Sequence, residues 1–282
     1  MRVLSRRDLV EPFWHDVAPD VVIGSLEDDA ALVRLCAGAE VVVHAAGLVK
    51  ARSRAAFEAV NIAGARRLAI AANNDAHVML ISSLSAREPE LSHYSASKRG
   101  GEDALAEVLD QRLTIVRPCA IYGPGDRELL PVFQAASILP VLPLLSALGR
   151  VTMIHVEDAA RQISALAARS PRGQTISLCD GRFGGYTWRE LMVEAARASG
   201  RTVICAPVPP FLLKVIGITN DFMAVLGATP MLSSAKVREL LHPDWCLSES
   251  EGPAGLPAAR YSLQAGFAET VRWYRAAGWM KH

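Results

Sequence analysis

The chain has 282 residues, 51% hydrophobic and 21% charged, with a formal net charge of +1. That length buries a large core, as one domain or as a domain with an attached lobe, and the balance excludes a disordered chain. Near-neutral charge without a long basic run argues against nucleic acid as a partner. Cys36, Cys119, Cys179, Cys205 and Cys246 occur singly, without Cys-x-x-Cys spacing. They read as reduced structural thiols of a cytoplasmic protein, with no metal site expected. The opening Met1-Arg2-Val3-Leu4-Ser5-Arg6-Arg7 is not a secretory signal.

Short Val-, Ile- and Leu-rich runs alternate with amphipathic stretches through the first 180 residues. Met1–Leu4, Val21–Ile23, Val41–His44, Val78–Ser82, Leu113–Val116 and Thr175–Leu178 are expected strands. They are too continuously apolar for half-exposed strands and suit a parallel sheet covered on both faces. Asp28–Cys36, Ala55–Asn73 and Ser95–Leu109 are the helices between them, the first stopped near Gly38. This rhythm predicts an α/β fold with a doubly wound parallel sheet.

Past residue 180 the rhythm changes, which predicts a Rossmann-type domain over 1–180 and a smaller C-terminal substrate lobe over 181–282, with 123–150 contributing to the lobe. Thr187–Ser199 is a helix opened by a capping box of Thr187 and Glu190. The apolar segment from Pro209 to Gly227 is interrupted by Lys214, Asn220 and Asp221, so it reads as buried or interfacial rather than as an integral membrane span. A core helix pair is expected there ahead of a membrane-touching surface. A last helix follows from about Leu263 to Ala277.

The chemistry is expected at Tyr94-Ser95-Ala96-Ser97-Lys98. A lysine four positions after a tyrosine shares its helix face, and a nearby ammonium favours the ionised phenol. The pair suits proton transfer in a carbonyl–alcohol conversion. Just upstream, the strand Val78–Ile81 runs into Ser82 and Ser83. A hydroxyl at a strand's carboxyl end faces the crevice where open α/β sheets bind ligands, so Ser83 can hydrogen-bond the reacting oxygen. Ser82 and Ser85 remain rivals for that role.

In this context the sequence resembles the extended short-chain dehydrogenase/reductase family, the NAD-dependent epimerase/dehydratases. His44-Ala45-Ala46-Gly47 is similar to the strand end that lies along the cofactor in that family, and Asn61-Ile62-Ala63-Gly64 to its helix asparagine motif. Arg117-Pro118, with the loop from Ile121 to Asp126, resembles the segment beside the nicotinamide. Ile154–Asp158 and Gly266–Tyr274 resemble its later segments. The resemblance implies catalytic roles for Ser83, Tyr94, Lys98 and Asn61. It implies cofactor contacts at Arg6, His44, Ala45, Ala46, Gly47, Tyr94, Lys98, Pro118 and Ile121.

Proteins of this kind open with a strand, a Gly-x-x-Gly-x-x-Gly loop and a helix whose N-terminus holds the pyrophosphate. No segment here has that pattern. Met1–Arg7 resembles the family's second strand, so the first strand, loop and helix are expected upstream of Met1, the chain being a fragment or its true start lying earlier. Weakened cofactor binding by the 282-residue span is the corresponding expectation.

Arg6 and Arg7 at the end of that strand point to NADP, with NAD remaining open. The cluster Phe211, Leu212, Leu213, Val215, Ile216, Phe222, Met223 and Leu226 points to an apolar pocket for a hydrophobic, steroid-like ketone or alcohol. Core packing accounts for it equally well. A nucleotide sugar needs polar and basic contacts, which Arg182, Arg189, Lys236 and Arg238 can supply. The expected function is an NAD(P)-dependent oxidoreductase or epimerase acting on a small-molecule carbonyl or alcohol. The alternative is a catalytically idle Rossmann-type binding, sensor or assembly protein. A homodimer is left open.

Overall fold

A computed structural model describes residues 1–8, 17–51, 53–72, 75–146, 148–225, 233–251 and 255–281, the side chains of 222–225 excepted. The chain divides into two compact units, one of Met1–Arg117 with Leu166–Ile176 and one of Pro118–Ala165 with Ser177–His282.

The first unit is a parallel α/β layer of Rossmann type. Its strands are β1 (Arg2–Ser5), β2 (Asp20–Ile23), β3 (Val41–His44), β4 (His77–Ile81) and β5 (Leu113–Pro118). Parallel pairing sets Arg2 against Asp20, Val41 against His77 and Val78 against Leu113. β4 is buried along nearly its whole length, as its unbroken apolar run requires. Strand β10 (Gln174–Leu178) completes the four-stranded order β10-β5-β4-β3, and β1 with β2 forms a separate two-stranded sheet among the described residues.

Helix α1 (Asp29–Cys36) starts on Asp28, whose carboxylate accepts the Ala31 N–H at 2.9 Å. The helix expected from Ala55 to Asn73 is α2 (Arg54–Glu58), a π-helical turn over Ala59–Gly64, and α3 (Ala65–Ala71), while Asn73 lies outside the described residues. The widened turn carries Asn61, which is 5% exposed. Helix α4 (His93–Leu109) packs directly on that turn.

The close approach depends on two glycines. A Cβ on Gly101 would lie 2.5 Å from the Asn61 carbonyl oxygen, and one on Gly100 2.5 Å from Ile62 Cδ1. The first obstacle is backbone and the second is a movable side-chain end.

The second unit holds β6 (Ala120–Tyr122), α5 (Leu130–Ile138), β7 (Val141–Leu144), β8 (Arg150–Val151) and β9 (Met153–His155). After α6 (Val156–Arg169) and β10 come β11 (Tyr186–Thr187), α7 (Trp188–Ala198), β12 (Ile204–Pro207), α8 (Pro210–Val225), α9 (Ser234–Leu241), β13 (Asp244–Trp245) and α10 (Leu263–Ala276). The Thr187–Glu190 capping box is present at the start of α7. The core is aromatic: Phe267 meets Tyr122 and Phe133 edge-on, at ring distances of 5.0 and 4.9 Å.

One expectation for this unit fails. Among the described side chains of α8, Leu213 and Gly217 are buried, while Phe211, Leu212 and Val215 are exposed, so these three neither pack a core nor line a closed pocket. Gly217 lies against the Ser234 backbone, so α8 and α9 approach closely at that point. The side chains of Phe222 and Met223, and the whole of Leu226, lie outside the described residues.

Gly101→Ala should cost about 1–3 kcal/mol in denaturant unfolding, as overpacked sites do, and Gly100→Ala clearly less. Equal losses would contradict the packing of α4 on the π-turn.

Candidate active site

The candidate residues of the first unit gather at the carboxyl ends of β1, β3 and β4. Beyond β3, Ala45, Ala46 and Gly47 run exposed, and Ala46 and Gly47 line a cavity of about 180 Å³ with Arg6, Gly24, Ser25 and Leu48. A Cβ on Gly47 would come within 3.1 Å of Asn61 Oδ1 and 3.8 Å of Lys98 Nζ. The strand end, the π-turn and the lysine of α4 therefore meet at one point, where a Cβ would press on the Asn61 amide.

Asn61 ties these elements together. Its Oδ1 accepts the Leu48 N–H at 2.7 Å, and its Nδ2 donates to the Leu48 carbonyl at 3.0 Å and to Ser97 Oγ at 2.8 Å. Ser97 Oγ in turn donates to the Tyr94 carbonyl at 2.8 Å. One buried amide thus joins the loop after β3 to the first turn of α4.

Tyr94 and Lys98 stand one turn apart on α4, with the Phe57 ring 6.2 Å from that of Tyr94. Lys98 Nζ donates to the Ile81 carbonyl at 2.8 Å, at the end of β4. Burial pushes the Lys98 ammonium down to about 8, against a smaller opposing pull from Glu102. His44 is 4% exposed, and burial with the nearby Lys98 charge holds it down at about 4, so it is neutral at pH 7.

The three serines separate by their partners. Ser82 is buried and its hydroxyl donates to Glu102 Oε1 at 2.5 Å. Ser83 is half-buried and accepts from the Ser85 N–H at 3.2 Å and from Ser85 Oγ at 3.0 Å. Neither bond uses the Ser83 proton. Among the three, Ser83 keeps a donor at the end of β4.

Glu102 went unnoticed in the sequence, although its partners Ser82 and Arg117 did not. Glu102 is 2% exposed, accepts from Ser82, and is gripped by Arg117 through Nε at 2.9 Å and through Nη2. Its signal was present: Tyr94, Lys98 and Glu102 recur every four residues, one face of α4. Pro118 and Ile121 belong to the second unit, Pro118 buried at the end of β5 and Ile121 39% exposed on β6.

Residues 1–179 match the NAD dependent epimerase/dehydratase family. The chain belongs to that family. It is an NAD(P)-dependent oxidoreductase or epimerase/dehydratase of the short-chain dehydrogenase type, and its cofactor is a nicotinamide dinucleotide. The small residues after β3, the adjoining cavity and the lysine beside it suit such a cofactor. The chain is 48% identical over 281 residues to a ceramide reductase of Caulobacter vibrioides, covering 99% of this chain and 88% of that one. It is 24% identical over 203 residues to the mitochondrial NADH dehydrogenase (ubiquinone) 1 alpha subcomplex subunit 9 of Dictyostelium discoideum, covering 72% of this chain and 54% of that one. In fold it is similar to a dTDP-glucose 4,6-dehydratase of Streptomyces venezuelae solved with NAD, at TM-score 0.67 and 22% identity, with 96% and 84% of the two chains covered.

Carbon NMR of lysine Cε should give Lys98 a midpoint near 8, so that its positive charge is lost as pH rises through that value. A midpoint at the ordinary 10.5 would contradict its burial.

Proposed function

We propose that the protein reduces a ketone on a ceramide-class lipid to the secondary alcohol, with NADPH as the reductant. The 48% identity with a ceramide reductase, running through nearly the whole chain, carries this reading. Ketone reduction is the step that a nicotinamide cofactor beside a tyrosine and a lysine can perform, whereas an amide carbonyl resists hydride. An intact Ser83, Tyr94 and Lys98 supports an enzyme over an idle binding protein.

A bound nicotinamide dinucleotide supplies the hydride that reaches the carbonyl carbon. Tyr94 gives its hydroxyl proton to the carbonyl oxygen. Lys98, charged below pH 8, stabilises the phenolate left behind. Ser83 donates a hydrogen bond to the same oxygen and fixes its direction. Asn61 holds the Leu48 loop and α4 in register, and Ala45, Ala46 and Gly47 offer the cofactor a surface without side-chain obstruction. Arg6, on the rim of the cavity, pairs with the extra phosphate of NADP.

The experiment is turnover against ketone-bearing ceramides and against dTDP- and UDP-sugars, followed by loss of NADPH absorbance. Turnover of the lipid ketone and none of the sugars is expected, and the reverse would overturn the reading. Tyr94→Phe should lower turnover by about 10²–10⁴-fold, the usual worth of a positioned acid. Near-normal turnover in that variant would remove Tyr94 from the chemistry. Arg6→Ala should weaken NADP binding about tenfold or more, the worth of one charge-assisted contact, and leave NAD unchanged. Equal losses for both cofactors would rule out phosphate recognition by Arg6.

A further inference from the structure

Helix α8 presents its apolar side outward. Phe211, Leu212, Val215 and Ile218 are 68%, 43%, 55% and 65% exposed. At ~100° per residue these four fall on one continuous face, with Lys214 beyond Ile218 at one rim, Leu212 at the other and Thr219 between Val215 and Leu212. The opposite side carries the buried Leu213 and Gly217. Both sides of this part of the helix are therefore apolar, unlike the usual surface helix with a polar outer face.

The polarity of the exposed face is low throughout. Between Val208 and Asn220 the single ionisable side chain is Lys214, which is exposed. The Thr219 hydroxyl donates back to the Val215 carbonyl inside the helix. That bond satisfies the hydroxyl without water, as threonines do in apolar surroundings. The nearest acid, Asp221, accepts from the Ser234 N–H at 3.1 Å and from the Ser234 hydroxyl.

We propose that this face of α8 docks on the surface of an anionic phospholipid bilayer. The charge it offers is positive, which complements anionic headgroups, and its bulky apolar side chains suit the headgroup–acyl boundary. A second copy of the chain is a poorer occupant. Two turns of one convex helix give on the order of 400 Å², about half of the ~800 Å² that each partner buries in a stable interface. No helix among the described residues is long and apolar enough to cross a membrane. The proposal rests on the lipid-reductase reading for its purpose: a substrate with long alkyl chains resides in a bilayer, and the enzyme must meet it there.

The test is flotation of the whole protein with vesicles of phosphatidylcholine, with and without phosphatidylglycerol. The wild type should float with the anionic vesicles and much less with the neutral ones. The triple variant Phe211→Ser, Val215→Ser, Ile218→Ser should bind about tenfold more weakly or worse, with unchanged melting and unchanged reduction of a water-soluble short-chain ketone. Lys214→Glu, which leaves the apolar face whole, should lose the preference for anionic vesicles.

A wild type that stays unbound, or a triple variant that floats like wild type, would overturn the proposal. So would a wild-type dimer in light scattering that the triple variant breaks while neither floats, since the face would then cover a second copy. Flotation that follows these variants in a protein inactive on every lipid ketone would keep the docking surface and reject the substrate reading.

Discussion

The candidate site depends on one buried amide. Asn61 answers both backbone groups of Leu48 and reaches Ser97 with the same nitrogen, while Ser97 holds the carbonyl of Tyr94. Losing such an amide would leave the Leu48 N–H and C=O, in a half-buried loop, without their protein partner. The π-turn around Asn61 and the glycines of α4 serve that contact. The turn sets the side chain at the depth of the strand end, and Gly101 lets α4 come down on it. Single π-turns inside helices recur at functional sites.

A second constraint runs along α4. Tyr94, Lys98 and Glu102 share a face, and the carboxylate is fully engaged by Ser82 and Arg117. A buried pair of this kind adds little net stability, yet breaking it by removing one partner costs about 3–5 kcal/mol. Its use here is positional. Glu102 anchors the middle of α4 to the end of β4, and Lys98 closes the gap by donating to Ile81. Burial then depresses the lysine, which leaves an ammonium that is charged at neutral pH and weakly hydrated, one helical turn from Tyr94.

Much of this could be read from residues alone, for identifiable reasons. Strands β3 and β4 carry the short apolar runs Val41–Val43 and Val78–Ile81, which suit a parallel sheet covered on both faces. The capping box at Thr187 is a local device that needs no tertiary partner. Lys98 beside Tyr94 follows from helical spacing. The role of Glu102 was hidden because its partners, Ser82 and Arg117, come from two neighbouring strands and meet only in the folded sheet. The π-turn was hidden because the Ala-rich run Ala55–Asn73 reads as one helix despite Asn61 and Gly64, and the widened turn is where α4 packs. The outward face of α8 was misread because composition cannot tell an apolar side chain that packs inward from one that faces out. Gly217 against Ser234 decides that, through a contact between helices.

The most direct test of the account is the fate of the hydride. NADPH carrying deuterium at the transferring carbon, given with a ketone-bearing ceramide, should yield a secondary alcohol with one deuterium on the carbinol carbon, read by mass spectrometry. Tyr94→Phe should form that product far more slowly and with the label at the same carbon. An unlabelled alcohol, or no alcohol from any lipid ketone while a nucleotide sugar is turned over, would contradict the account.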